Sequence, residues 1–151
     1  MTQQQATGGS LLMDCLIGLG AYKGFGVPGE SYLAVLDAMY DRADKFELIL
    51  CRHEGGAAYM AEAWGKLTGT PGICFVTRGP GATNASIGIH TAMQNSSPML
   101  VFVGQVGTDM RGREAFQEID YMHYFGKVAK WVCEIDDADR IPELIARAWT
   151  T

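Results

Sequence analysis

Three short runs of this chain, Phe46–Cys51, Gly72–Thr77 and Pro98–Val103, are apolar nearly throughout instead of alternating apolar with polar residues. Strands of that composition are buried on both faces, which is the condition of a parallel sheet covered by helices on each side. Helical spacing fills the intervals between them. Leu11, Leu12, Cys15, Leu16 and Leu19 mark a first amphipathic helix that Gly20 would stop, and Leu33, Leu36, Met39 and Tyr40 mark a second. Ala57, Ala58, Ala61, Trp64 and Leu67 mark a third, ended by Gly69, and a small-residue helix runs from Gly79 to about Met93. Lys23–Val27 reads as a strand entering the turn Pro28-Gly29, and Val128–Ile135 as a later strand. Asp137 or Asp139 would cap a last helix carrying Ile141, Leu144, Ile145, Ala148 and Trp149, with Pro142 in its first turn. Repeated strand-helix units predict a doubly wound parallel sheet flanked by helices, a three-layer α/β/α fold occupying residues 1–151 as one domain.

Composition narrows the function classes. The net charge is -5, and the twelve Lys and Arg are scattered from Lys23 to Arg147 without a basic run, so nucleic acid is not the expected partner. The apolar stretches fall short of a membrane span, and Met1–Gly9 is polar, lacking the basic start and apolar block of a signal peptide; a cytoplasmic protein is expected. Cys15, Cys51, Cys74 and Cys133 form no Cys-x-x-Cys pair and read as buried free thiols. His53, His90 and His123 show no paired spacing, so no metal is expected to be held by this chain alone.

In doubly wound sheets the ligand lies beyond the carboxyl ends of the strands. Three such ends carry distinctive sequence and should lie near one another: Val27-Pro28-Gly29, His53-Glu54-Gly55-Gly56, and Arg78-Gly79-Pro80-Gly81-Ala82-Thr83-Asn84. Glu54 is the most informative. A carboxylate where a buried strand meets a tightly packed helix is costly to desolvate. It serves either as a cap complementing the helix dipole or as a chemical group, and Gly55, Gly56, Ala57 and Ala58 let a flat ligand approach it closely. Gly79-x-Gly81 before a helix superficially matches a dinucleotide loop. That reading expects an acid at the end of the next strand, where Val103-Gly104-Gln105 stands instead.

Taken together, Phe25-Gly26-Val27-Pro28-Gly29, Arg52–Ala61, Gly79–Ala85, Pro98–Val106 and Ala115-Phe116-Gln117-Glu118 resemble the N-terminal, pyrimidine-binding domain of thiamine-diphosphate enzymes, most of all the acetolactate synthase group. The resemblance runs in order over nearly the whole chain. It implies that Glu54 is the glutamate that hydrogen-bonds a ring nitrogen of the cofactor's aminopyrimidine, so that the cofactor can attack a 2-keto acid, release carbon dioxide and pass the remaining fragment to an acceptor. Burial among glycine and alanine would suit a carboxyl that shares a proton with that nitrogen. By the same resemblance Val27, Pro28 and Gly29 lie against the pyrimidine, Pro80, Gly81 and Asn84 form the second loop around it, and Phe116 and Gln117 line the substrate side on a loop expected to be mobile. Lys130 matches a lysine common in these enzymes, although a strand-edge surface lysine explains it equally well.

There are departures. Acetolactate synthases commonly have serine at Arg78, a second glycine at Glu30, and aspartate in the segment of Asn95; these bear on the substrate and not on Glu54. The family's diphosphate site, where Mg2+ is held by a Gly-Asp-Gly to Asn-Asn segment of another domain, has no counterpart here, since the only asparagines are Asn84 and Asn95. The expectation is therefore half a thiamine diphosphate site: a domain of a longer three-domain enzyme chain, a homo-oligomer that is at least a dimer, and inactive as an isolated domain. A natural small subunit of a two-chain decarboxylase and, in a different class, a non-catalytic nucleotide-binding module are the competing readings. The donor and acceptor keto acids, and whether a middle domain binds FAD, are left open.

Overall fold

The computed structural model describes residues 6–151. The expectation of a polar start over Met1–Gly9 therefore lies partly outside the described residues. Four strands, β1 (Lys23–Gly26), β2 (Glu47–Leu50), β3 (Gly72–Val76) and β4 (Met99–Val103), form one sheet in the order β2-β1-β3-β4. Every pairing is parallel, with Gly24 opposite both Leu48 and Ile73, and Cys74 opposite Val101. Six α-helices accompany them: α1 (Gly8–Gly18), α2 (Leu33–Tyr40), α3 (Glu54–Thr68), α4 (Gly79–Asn95), α5 (Tyr121–Phe125) and α6 (Ile141–Thr150).

The two faces of β3 show why the sheet needs helices on both sides. Ile73 and Phe75 join a core with Leu12, Met13 and Leu16 of α1, Met39 of α2 and Ile145 of α6. Cys74 and Val76 point the other way, into a core of Ala57, Ala58 and Ala61 of α3 and Ala82, Ala85 and Ile89 of α4. The first core is aromatic: Phe75 stacks on Phe102 with centroids 5.0 Å apart, and a side chain at Gly24 would strike Phe46. The second is built from alanine, so α3 and α4 pack closely. A Cβ on Gly88 would lie 2.5 Å from Cβ of Ala58. The three-layer α/β/α architecture is thus the one the apolar runs predict. Helix ends follow the glycines, with Gly69 capping α3 at φ 73° and Gly20, at φ 99°, turning the chain after α1.

Several local expectations need correction. Val128–Ile135 forms no strand. Its apolar side chains are taken up by packing instead: Val128, Ala129 and Val132 rest on the alanine-rich core, and Trp131 lies under the Arg147 guanidinium at 4.9 Å. A cleft of about 890 Å³ runs between this segment and β4. β2 is a sheet edge and not buried on both faces, since Glu47 and Leu50 are exposed. In α2, Ala38 and Met39 face the core, whereas Leu33 and Tyr40 are exposed, as is Leu67 of α3. Asp137 caps a short 3-10 turn over Ala138–Arg140, accepting from the Asp139 amide, and α6 starts after that turn with Pro142 in place. The sequence reading also missed α5, a single turn that Asp120 caps while Tyr121 and Phe125 bury. All four cysteines are free, but only Cys74 is fully buried.

Candidate functional site

In the order β2-β1-β3-β4 the chain builds outward from β1 first to one side and then to the other, so the strand order switches between β1 and β3, and the crevice at their carboxyl ends is where such sheets take ligands. The loop after β1, Val27-Pro28-Gly29, is fixed from beneath by Tyr32, whose hydroxyl donates to the Val27 carbonyl at 2.6 Å. Tyr32 is buried there, and its phenol is pushed up to about 12, by burial first and then by the charges of Cys74 and Glu54. Gly29 sits where a Cβ would lie 2.7 Å from Thr77 Cβ, and Ser31 and Thr77 share a hydroxyl hydrogen bond at 2.9 Å. The end of β4 joins them, because Gly104 is packed so tightly on Ser31 that no side chain fits. Ser31 and Thr77 were not singled out from sequence, although a hydroxyl residue just past each of two strand ends was there to be noticed.

Glu54 is the first residue of α3. The cap itself is His53, whose Nδ1 accepts from the Gly55 amide at 3.0 Å; Glu54 is the acid of the first turn, where its charge complements the helix dipole without capping an amide. The Glu54 carboxylate turns toward α4 instead. Its Oε2 accepts from Asn84 Nδ2 at 2.9 Å, and Oε1 lies 3.4 Å from where a Cβ on Gly81 would be. Among the described residues Oε1 accepts no hydrogen bond. Glu54 is half-buried rather than enclosed. In the first turn of α3 Gly55 is buried against Ile87 of α4, whereas Gly56 faces open space.

The third strand end places Pro80 and Gly81 in the first turn of α4. Here the helix N-terminus is largely spoken for. Gly79 donates its amide to the Gln117 carbonyl at 2.9 Å, Pro80 has no N–H, and Ala82 donates to the Arg78 carbonyl. An anion-binding helix start needs several free amides; among the described residues Gly81 supplies the one this turn leaves open, so the dinucleotide reading of Gly79-x-Gly81 has little support.

Phe116 and Gln117 stand beside this helix start. Arg78 donates through Nη1 to the Phe116 carbonyl at 3.1 Å and through Nη2 to Glu30 Oε1 at 2.8 Å. The loop expected to be mobile carries its own ties. Glu118 accepts from the amides of Gly112 at 2.7 Å and Ala115 at 3.2 Å, and Gln117 adopts a left-handed φ of 65°. Contacts link these strand ends in series: Gly29 and Gly81 both pack on Thr77, Gly81 lies against Glu54 Oε1, Glu54 is bonded to Asn84, and Gln117 is tied to Gly79. Lys130 does not join them; its ammonium meets the Thr151 carbonyl.

Comparison with known proteins bears on this arrangement. Residues 6–124 match the family model described as thiamine pyrophosphate enzyme, N-terminal TPP binding domain. The chain belongs to that family. It is 39% identical over 142 residues to the acetolactate synthase of Bacillus subtilis, covering 94% of this chain and 25% of that protein. It is 38% identical over 147 residues to the acetolactate synthase large subunit of Lactococcus lactis, covering 97% and 25%. A mitochondrial acetolactate synthase catalytic subunit of Aspergillus candidus is 39% identical over 143 residues, covering 95% and 20%. The chain spans a quarter or less of the length of these relatives. For a thiamine pyrophosphate enzyme domain, the described residues contain no helix long and apolar enough to cross a membrane and no cluster of three or more metal-ligating side chains.

Proposed function

We propose that this chain forms the pyrimidine-facing half of a thiamine diphosphate site in an enzyme that decarboxylates a 2-keto acid and ligates the product to an acceptor, as an acetolactate synthase does. The supporting observation is the Glu54 carboxylate, held through Oε2 by Asn84 with Oε1 unengaged, at the mouth of the β1/β3 crevice. A protonated ring nitrogen needs an acceptor oxygen held in place, and Oε1 lies beside Gly81, whose missing side chain leaves room for a flat heterocycle.

The bound cofactor supplies the carbon nucleophile and electron sink for the reaction. The residues of this chain do the rest of the work on this side. Glu54 Oε1 holds or shares a proton with the ring nitrogen, and Asn84 keeps the carboxylate pointed at it. Val27, Pro28 and Gly29 form one wall and Pro80 and Gly81 the other, with Tyr32 and Thr77 keeping the first wall in place. Phe116 and Gln117 stand on the substrate side. Desolvation of Glu54, which this chain alone leaves half-exposed, comes from the surface that brings the diphosphate and Mg2+, a domain outside residues 1–151. The working enzyme is accordingly at least a dimer of longer chains.

Two measurements test this. In the full-length protein Glu54→Gln should lower turnover by about 10²–10⁴-fold with the fold intact; unchanged turnover overturns the assignment. The isolated 151-residue chain should not bind thiamine diphosphate measurably by calorimetry, and micromolar binding would show that the site is not shared.

A further inference from the structure

Arg78 is a cation held at three corners of the crevice at once. Its side chain is only 13% exposed. Nη2 reaches Glu30 beyond the Pro28-Gly29 loop, Nη1 reaches the Phe116 carbonyl, and the guanidinium carbon lies 5.9 Å from the centroid of the Phe116 ring. Its Nε is buried with no partner. A buried N–H without an acceptor costs free energy, so the position of this group is set by its two other ends and by the ring.

What it holds is a segment closed on itself but with a strained backbone. Between Gly112 and Gln117 three residues have positive φ: Gly112 at 71°, Glu114 at 55° and Gln117 at 65°. Glutamate and glutamine adopt that conformation only when their surroundings impose it. Glu118 closes the segment internally through the Gly112 and Ala115 amides. Its attachments to the crevice are two: the Arg78 guanidinium on the Phe116 carbonyl, and the Gly79 amide on the Gln117 carbonyl. Both hold neighbouring peptide groups, so loss of one should release the other. Phe116, with 71% of its surface exposed, is thereby presented at the rim.

We propose that Arg78 is the positioning residue of the site, a planar clamp that fixes Phe116 and Gln117 against the start of α4 and the Pro28–Glu30 loop. The ligand this serves rests on the thiamine diphosphate reading above; the clamp itself does not. Lysine cannot replace it, because one compact ammonium lacks the two separate nitrogens that reach Glu30 and the Phe116 carbonyl from a position over the ring.

Hydrogen exchange of the 151-residue chain reads the clamp directly. In Arg78→Ala and Arg78→Lys the Gly79 amide should exchange at least tenfold faster, while amides of β3 and the rest of α4 keep their protection. Glu30→Gln, which leaves the carbonyl bond in place, should give a smaller acceleration and serves if Arg78→Ala does not fold. In the full-length enzyme both Arg78 variants should raise KM for the keto acid by about tenfold or more, with cofactor affinity and kcat changed far less. Unchanged Gly79 exchange in a folded Arg78→Ala, or wild-type behaviour of Arg78→Lys, overturns the proposal. If the exchange responds as expected while Glu54→Gln leaves turnover intact, the clamp stands and the cofactor reading falls.

Discussion

Asn84 donates to Glu54 Oε2 at 2.9 Å, joining the second turn of α4 to the first turn of α3 across the mouth of the crevice. The bond is solvent-exposed, so its share of folding stability is small. Its effect on direction is large, since among the described residues no other hydrogen bond orients that carboxylate. Asn84→Ala should shift stability by less than about 1 kcal/mol. In the full-length enzyme it should lower cofactor-dependent turnover about tenfold, equivalent to about 1.4 kcal/mol. Asn84→Asp should do worse, because it sets a second carboxylate against the first. Thermal melts beside steady-state assays separate the two effects, and a stability loss matching the activity loss would make Asn84 a packing residue.

Two glycines on the facing helices give a contrast in sign. Gly88 is where α4 touches α3: an added Cβ would lie 2.9 Å from the Ala58 carbonyl carbon as well as against its methyl. Gly88→Ala should destabilise by about 1–3 kcal/mol or more, through separation of the helices. Gly56 lies within α3 with nothing within 4 Å of the same position. Gly56→Ala should therefore stabilise the chain by about 0.5–1 kcal/mol, the helix-propensity gain without a clash. Urea midpoints of the two variants on opposite sides of wild type would bear this out; two destabilised variants would mean that the first turn of α3 is packed more tightly than the geometry indicates.

Much of this was legible before any coordinates. Apolar runs pointed to the parallel sheet, but of the three only β3 is fully buried on both faces, at all five positions; β2 and β4 are edges, the first exposed at its two ends and the second half-buried throughout. The three strand ends converge because topology puts them there. Val128–Ile135 misled because an apolar run states only that side chains are buried, and these are buried against helices and Arg147 instead of along a ladder. The carboxylate's partner was half-legible: Asn84 stood in the motif, but the turn of Glu54 away from its own helix depends on His53 doing the capping. Arg78 and Glu30, visible in the sequence only as two separate departures, are bonded to each other, a relation between residues 48 positions apart that no local pattern encodes.

Glu62 predicts an acid-side response. It is 7% exposed, and hydrogen bonds from Asn95 Nδ2 at 3.0 Å and Ser97 Oγ at 2.7 Å hold its carboxyl below the ordinary 4.5, with burial opposing them. A depressed carboxyl stabilises the fold fully above its unfolded value, and the contribution is lost as pH falls through the folded one. Stability from urea titrations should thus be level in this contribution from pH 7 to about 5 and fall below about 4.5. Glu62→Gln should start about 1–3 kcal/mol lower at pH 7 and fall less on acidification. Part of the decline should persist, because Asp14 is also held low by its hydrogen bond to Arg42. An identical acid limb in the variant would mean that the Glu62 carboxyl is not held low in the folded chain.

Tyr32 makes the corresponding claim on the alkaline side. Its hydroxyl donates a hydrogen bond to the Val27 carbonyl, and burial raises the phenol from 10.0 to about 12. A raised group contributes stability that is complete below its unfolded value and is lost as pH climbs through the folded one, so the window lies between about pH 10 and 12. Cys74, pushed up from 9.0 to about 12 chiefly by burial, begins its own loss one unit earlier. Tyr32→Phe should remove the phenol's share of the alkaline decline and leave that of Cys74. It should also cost about 1 kcal/mol at neutral pH, since the Val27 carbonyl loses its donor. Phenolate absorbance, taken as wild type minus Tyr32→Phe, should rise near pH 12 while the fold persists; a rise near pH 10 would mean that Tyr32 is reached by water and that the Val27–Gly29 wall is not fixed from beneath.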